Sequence, residues 1–195
     1  IKSLEPKKYQ FINTDFTIAN YNTSLYNLYY TDKINKNISF SILLSKHLSD
    51  GYITNEQLIN SSIQILDDTN SKDESFIKFK INYLKKDFIL KITTLLSDLN
   101  NKYDVWSPDN NGFISYTDFR GKDIQKTNAI SIYMKKKFTT YDLVSISSYY
   151  DCDITYSYDS DWGNNEFWSN PPYEFDNYYY DYYYPYNYSD ITLRN

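Results

Sequence analysis

The chain has 195 residues, with a hydrophobic fraction of 41%, a charged fraction of 23% and a formal net charge of −5. These values are typical of a soluble protein with one globular domain, or one domain and an appendage. The longest apolar runs are far shorter than the ~20 residues of a membrane-spanning helix, so we expect no membrane insertion. The only cysteine, Cys152, excludes an intramolecular disulfide and a multi-cysteine zinc site.

Residue usage is strongly biased. The chain contains 24 tyrosines and only 4 glycines, and its two arginines are Arg120 and Arg194. Tyr, Asn, Ile, Lys and Phe share AT-rich codons, which suggests an AT-rich source such as a large DNA virus, a mobile element, a protist or a low-GC bacterium. No N-terminal stretch has the pattern of a signal peptide, so an intracellular location (host cytoplasm, or the virion of a virus) is favoured over secretion.

Residues 1–67 are predicted to form strands and one helix. The segment from Phe11 to Asp32 partly alternates and predicts a strand, whereas "NISFSILLSKHL" is ambiguous between a helix and a buried strand. The spacing of Leu58, Ile59, Ile63 and Leu66, after a Thr54–Gln57 capping box, predicts a helix at about 55–67.

The next segments predict a strand, then a second helix, then a β-rich second half. "SFIKFKINYL" alternates between apolar and polar residues like a half-buried strand. Phe88, Ile92, Leu95 and Leu99 then follow at helical spacing, which predicts a helix at about 88–101. We therefore expect an α+β fold with two main helices and a mostly antiparallel sheet, as one globular domain over 1–160 and an arm over 161–195.

One short loop resembles the calcium-binding loop of an EF-hand. In "SPDNNGFISYTD" (residues 107–118), Gly112 lies at the sharp turn and Asp118 at the closing ligand position. The resemblance implies calcium ligands at Asp109, Asn111, the Phe113 carbonyl and Asp118. The first ligand position holds Ser107 instead of Asp, and a β-hairpin around Asn111-Gly112 is the favoured interpretation.

Catalysis has little support in the sequence. His47 is the only histidine, and Cys152 lies between two aspartates, whose negative charges argue against a nucleophilic role. The chain has no phosphate-binding glycine motif. We expect a protein that is not an enzyme and that carries no cofactor.

A lysine–aromatic pattern suggests nucleic-acid binding as an alternative function. Aromatic residues alternate with lysines in "FIKFKINY" and "IYMKKKF", as on sheets that stack bases and follow phosphates. The candidate contacts are Lys78, Lys80, Lys135, Lys136 and Lys137. Arginine is nearly absent, however, so bidentate phosphate contacts are scarce.

The C-terminal region is acidic and rich in tyrosine. From Asp151 onward the chain has nine acidic residues and one basic residue, Arg194. This segment therefore has a formal charge of −8 and residues 1–150 have +3, which together give the total of −5. Tyrosines order at a low entropic cost and suit contact surfaces. We interpret the arm as an adhesive segment that mediates self-association or binds a protein partner, which makes the chain a structural or protein-interaction protein. Its candidate contact residues are Trp162, Trp168, Tyr173, Phe175, Asp176, Tyr178, Tyr179, Tyr180, Asp181, Tyr182, Tyr183, Tyr184, Tyr186 and Tyr188.

Overall fold

The computed structural model describes residues 4–66, 69–103, 106, 112–171, 173 and 190–194. In these ranges the chain is almost entirely β. The elements are β1 (Phe11–Ala19), β2 (Thr23–Lys33), β3 (Ile38–Ser49), β4 (Thr54–Ile59), β5 (Ser62–Leu66), β6 (Lys72–Lys85), β7 (Phe88–Lys102), β8 (Ile114–Ser115), β9 (Lys122–Lys137), β10 (Asp142–Asp159), α1 (Asn165–Ser169) and β11 (Asp190–Arg194).

Eight strands form the main sheet, in the order β1-β2-β3-β6-β7-β9-β10-β11. Every neighbouring pair is antiparallel. Strands that are adjacent in the sheet also follow one another along the chain, except that short excursions leave it after β3, β7 and β10. The sheet is therefore a long up-and-down meander with β1 and β11 at its edges.

The excursions after β3 and β7 form a small sheet at one end of the main sheet. Strand β4 pairs antiparallel with β5 and parallel with β8, and α1 contacts β4. Asn55 and Gln57 both donate side-chain hydrogen bonds to the Thr117 carbonyl, at 3.0 and 2.5 Å. This is the best-buried part of the described chain, and apart from Ile53 its buried residues are polar.

The prediction of an α+β fold with two main helices is wrong. The only helix in the described ranges is α1, of five residues, and none is long and apolar enough to cross a membrane. The described part of the segment predicted as a helix at 55–67, up to Leu66, is the β4–β5 hairpin. Asn60 and Ser61 have φ values of 52° and 57°, the left-handed pair of a type I′ turn. Thr54 and Gln57 form no capping box, because both donate hydrogen bonds to neighbouring segments.

The second predicted helix, at 88–101, is strand β7. Its register with β6 and β9 places Phe88 and Ile92 on one face of the main sheet, and Leu95 and Leu99 on the other. Apolar side chains occupy both faces, so the strand lacks simple alternation and its apolar spacing imitates a helix. The ambiguous segment around Leu43 is strand β3. The strand predictions in "SFIKFKINYL" and in the second half are confirmed by β6, β9 and β10.

Candidate interaction surface

One face of the main sheet is apolar across six strands. Side chains that are paired across neighbouring strands lie on the same face, so the register of β2, β3, β6, β7, β9 and β10 defines its members. We call this surface the apolar face. It comprises Leu28, Tyr30, Ile38, Phe40, Ile42, Leu44, Ile77, Phe79, Ile81, Tyr83, Phe88, Leu90, Ile92, Leu96, Ile130, Ile132, Met134, Leu143 and Tyr149.

No member of the apolar face is buried. In the described chain the buried apolar side chains are Tyr29, on the opposite face, Pro6, before β1, and Ile53, directly before β4. At the centre of the apolar face, Ile77 is 41% exposed, Phe79 37% and Ile132 38%. The described elements that contact one another are neighbours within a sheet, or α1 with β4, so none of them forms a second layer over this face.

The opposite face, which we call the polar face, carries more polar side chains. The segment of residues 4–10, before β1, covers part of it. The Glu5 carboxylate accepts hydrogen bonds from Lys80 at 3.2 Å, Asn82 at 3.2 Å and Lys91 at 3.0 Å. Partial burial acts to raise the pKa of Glu5, but the hydrogen bonds from Lys91, Asn82 and Lys80 lower it to about 2. Lys80 and Asn82 are buried beneath this segment. On β6, therefore, the lysine side is covered and the apolar side is open, the reverse of the usual arrangement of a half-buried strand.

A row of charged residues borders the apolar face on the side nearer the small sheet. Lys46, Asp98, Lys126 and Asp153 point to the same face, and the last three are direct cross-strand neighbours on β7, β9 and β10. We call these four residues the charged row. A shallow depression lined by Lys46, Asp98 and Lys126 lies along it. Asp98, Lys126 and Asp153 are exposed.

The lysines of the alternative nucleic-acid surface are distributed over both faces. Lys78, Lys80, Lys135 and Lys137 share the polar face, and Lys136 points to the apolar side. Burial, followed by the nearby charge of Lys80, lowers the pKa of Lys78.

Three of these lysines form ion pairs, counting Lys80 with Glu5. Lys135 lies 2.7 Å from Asp142, and Lys136 lies 2.5 Å from Asp87. The hydrogen bond to Asp142 raises the pKa of Lys135, and the hydrogen bond from Lys136 lowers the pKa of Asp87. The arrangement therefore does not form one continuous surface of unpaired lysines. The nucleic-acid site stays a prediction.

The start of the predicted adhesive arm packs beside the small sheet. Trp162 contacts Trp106 with 4.2 Å between ring centroids, and Trp168 contacts Tyr173 at 4.7 Å. The end of the arm forms β11, which pairs with β10. The remaining predicted contact residues, from Phe175 to Tyr188, lie outside the described residues.

The same arm fixes the turn of the β4–β5 hairpin. The Glu166 carboxylate in α1 accepts backbone hydrogen bonds from Asn60 at 2.9 Å and Ser61 at 2.5 Å. At least one acidic residue of the arm therefore has a partner within its own chain.

The EF-hand-like loop is only partly described. Asp109 and Asn111 lie outside the described residues. The Phe113 carbonyl accepts a hydrogen bond from the Thr54 amide at 2.9 Å, which belongs to the pairing of β4 with β8. Strand β8 therefore pairs in parallel with a distant strand in this part of the loop. The predicted turn of a hairpin around Asn111 stays a prediction.

Asp118 belongs to a different group of acids, in which its carboxylate lies within 4.8 Å of those of Asp159 and Asp161. Asp159 is fully buried, and its carboxylate accepts backbone hydrogen bonds from Asp118 at 3.1 Å, Asp161 at 3.2 Å and Trp162 at 3.1 Å. Three oxygen ligands could hold a divalent cation. The hydrogen bonds of Asp159 already give it a structural role, since they fix the chain where it leaves β10.

The two residues with nucleophilic or acid–base potential also have local partners. The His47 Nδ1 atom lies 3.3 Å from the Glu74 carboxylate, and the Cys152 Sγ atom lies 3.4 Å from the Thr127 hydroxyl. His47 and Cys152 occupy different rows of the polar face, on β3 and β10. The structure therefore does not bring them together as a catalytic pair.

Sequence reasoning missed the apolar face. Its signal was present in the alternation of Ile77, Phe79, Ile81 and Tyr83 on β6, which shows that one side of this strand is apolar. Alternation identifies the apolar side of a strand, but not whether another layer covers it.

The chain matches no protein-family model, no curated protein and no solved structure. These comparisons lend no support to the viral origin suggested by the composition. The function must therefore follow from the arrangement of the chain's own residues.

Proposed function

We propose that this chain is a non-enzymatic interaction protein that buries its apolar face against another protein. The observation that carries the proposal is that no member of a surface spanning six strands is buried. A sheet with one apolar side is ordinarily stabilised by a second layer packed on that side. Exposed apolar patches larger than a few hundred Å² are typical of interaction sites.

The dimensions of the apolar face suit a protein partner. Six strands at ~4.8 Å spacing span about 29 Å, and the eight residue steps from Phe88 to Leu96 on β7 span about 27 Å. The face therefore covers roughly 700–800 Å², close to the ~800 Å² per partner of a standard protein–protein interface.

The acidic, tyrosine-rich arm is the second contact element of this proposal. Its start packs beside the small sheet and its end is the edge strand β11, so the intervening residues are tethered at both ends. Tyrosine side chains combine a large apolar area with a hydroxyl group, which suits an interface. The negative charge of the segment would favour a partner with basic groups.

Dye binding by the purified chain tests the accessibility of the apolar face. A dye such as anilinonaphthalene sulfonate should bind the dilute, folded chain, and the double variant Ile77→Thr/Ile132→Thr should reduce binding. Threonine keeps a high strand propensity, so the variant should remain folded. Ile146→Thr is the matched control, because Ile146 is 70% exposed on the polar face of β10.

Two results together would contradict the proposal. If the dilute chain binds no dye, and the double variant instead lowers the stability of the monomer by about 3 kcal/mol or more, the face belongs to a core within the chain. The proposal would then be wrong.

A further inference from the structure

The charged residues beside the apolar face indicate what kind of partner covers it. Along the charged row, Asp98, Lys126 and Asp153 alternate in sign on neighbouring strands. A surface that binds anionic lipid carries an excess of positive charge. This border instead carries more negative than positive charge, because Asp73 also lines it and forms an ion pair with Lys46. The alternation of Asp98, Lys126 and Asp153 favours a protein surface with the same alternation.

A second copy of the chain has the required pattern. In a face-to-face pair, a two-fold axis parallel to the strands reverses the order of the strands but leaves each row opposite itself. If the axis passes between β7 and β9, the Asp98 of each copy faces the Lys126 of the other. Ile92 of each copy then faces Ile132 of the other and Phe79 faces Tyr149, and the two opposite-charge contacts lie to one side of these apolar contacts.

The other two-fold arrangement in this plane is poorer. An axis perpendicular to the strands would turn the charged row onto the far border of the apolar face, where Phe88, Lys136 and Leu143 are cross-strand neighbours. Lys126 would then face Lys136, and Asp98 would face Phe88. Like charges oppose such packing, and Asp98 would lose the oppositely charged partner that the first arrangement gives it.

We propose that two copies of this chain pack through their apolar faces about a two-fold axis that is parallel to the strands and passes between β7 and β9. The inference rests on the proposed function and specifies its partner. The two sheets would form a sandwich with a separation of ~10 Å and nearly aligned strands. In this arrangement β6, β7, β9 and β10 of each copy lie over the same four strands of the other, and β2 and β3 extend beyond the overlap.

Charge reversal tests this arrangement. Sedimentation equilibrium of the full chain over about 1–100 µM should show a monomer–dimer equilibrium. Asp98→Lys alone brings lysines together at both contacts, and Lys126→Asp alone brings aspartates together. Each single variant should weaken the dimer by about tenfold or more at low salt.

A mixture of the two single variants separates contacts between copies from contacts within a chain. Asp98 and Lys126 are also cross-strand neighbours in one copy, so each reversal disturbs its own chain in any packing. In the mixed dimer, each contact between copies again joins a lysine to an aspartate, and association should return to near the wild-type strength. Asp15→Lys, on the polar face of β1, changes the net charge equally and should leave association unchanged.

Two results would overturn the inference. The first is a chain that stays monomeric over the whole range; if this monomer still binds the dye at its apolar face, the proposed function stands and only the identity of the partner is wrong. The second is a dimer that the single variants weaken but that their mixture does not restore, or that Ile77→Thr/Ile132→Thr leaves intact.

Discussion

The ammonium group of Lys80 lies 3.2 Å from the carboxylate of Glu5, so the N-terminal segment neutralises a lysine that is buried in the middle of the sheet. Lys80 also donates a hydrogen bond to the Leu4 carbonyl at 2.9 Å. Leu4 and Glu5 are therefore part of the folded structure, even though they belong to no strand.

This contact predicts a stability that depends on pH. The pKa of Glu5 is lowered from 4.5 to about 2, so the ionised carboxylate stabilises the fold above pH 4.5 and this contribution is lost as the pH falls towards about 2. Glu5→Gln should cost about 1 kcal/mol at neutral pH, a value reduced because the side chain is half exposed. It should also flatten this part of the pH profile in urea unfolding. If the stability of Glu5→Gln falls between pH 4.5 and about 2 as steeply as that of the wild type, this pH dependence does not come from Glu5.

The β4–β5 turn should be stabilised by glycine. Ser61 has a φ of 57°, a conformation that glycine adopts without strain and that an Asn-Gly type I′ turn favours. Ser61→Gly should raise the free energy of unfolding by about 0.5–1 kcal/mol, measured by thermal or urea unfolding. Ser62→Gly, at the first residue of β5, is the control and should be destabilising. Equal effects from both variants would argue against a type I′ turn.

Asp159 should be essential for the junction between the main sheet and the small sheet. Its buried carboxylate accepts three backbone hydrogen bonds, and the Thr117 hydroxyl lies 2.6 Å from its Oδ2 atom. Asp159→Asn leaves only one accepting oxygen and should cost about 2–3 kcal/mol.

The matched control for this substitution is Asp153→Asn, since Asp153 is exposed on the same strand and face. The control should change stability by less than about 0.5 kcal/mol. Hydrogen exchange should show the loss of protection in Asp159→Asn first in the small sheet. Equal stabilities of the two variants would contradict a structural role for Asp159.

The tyrosine-rich arm should contribute to association more than to folding. Replacing residues 174–189 by a Gly/Ser segment of the same length retains Tyr173 and β11. The body should keep its unfolding midpoint, while its binding to the second copy or another partner weakens and loses salt dependence. A matched variant that keeps the tyrosines but changes the aspartates to asparagines would separate the role of charge from that of the rings. If the Gly/Ser variant unfolds, the arm belongs to the core and its adhesive role is wrong.

The sequence predicted strands better than it predicted their assembly. Alternation in β6 and β-branched residues in β9 and β10 reflect local chain geometry, so their strand character was predictable. In β7, apolar side chains on both faces removed the alternation, and the spacing of Phe88, Ile92, Leu95 and Leu99 matched a helix by coincidence. The Asn60-Ser61 turn was hidden because serine is an uncommon residue at a left-handed position.

The candidate surface was even harder to predict than the fold. Which side of β6 is covered depends on Glu5, which is 75 residues from Lys80 along the chain. A local sequence pattern does not reveal a contact between residues so far apart in the chain. The charged row is likewise assembled from Lys46, Asp98, Lys126 and Asp153 on four separate strands, so it emerges only once the register is known.

The meander order has a consequence for synthesis of the chain on the ribosome. Because successive strands of the main sheet are also spatial neighbours, each one can add to the free edge left by its predecessor as it emerges. No strand has to insert between two strands that are already paired. A nascent chain that ends after β3 or β7 can therefore already hold native pairings. Strand β11 is added last, along Thr155–Asp159 of β10, after the arm has emerged.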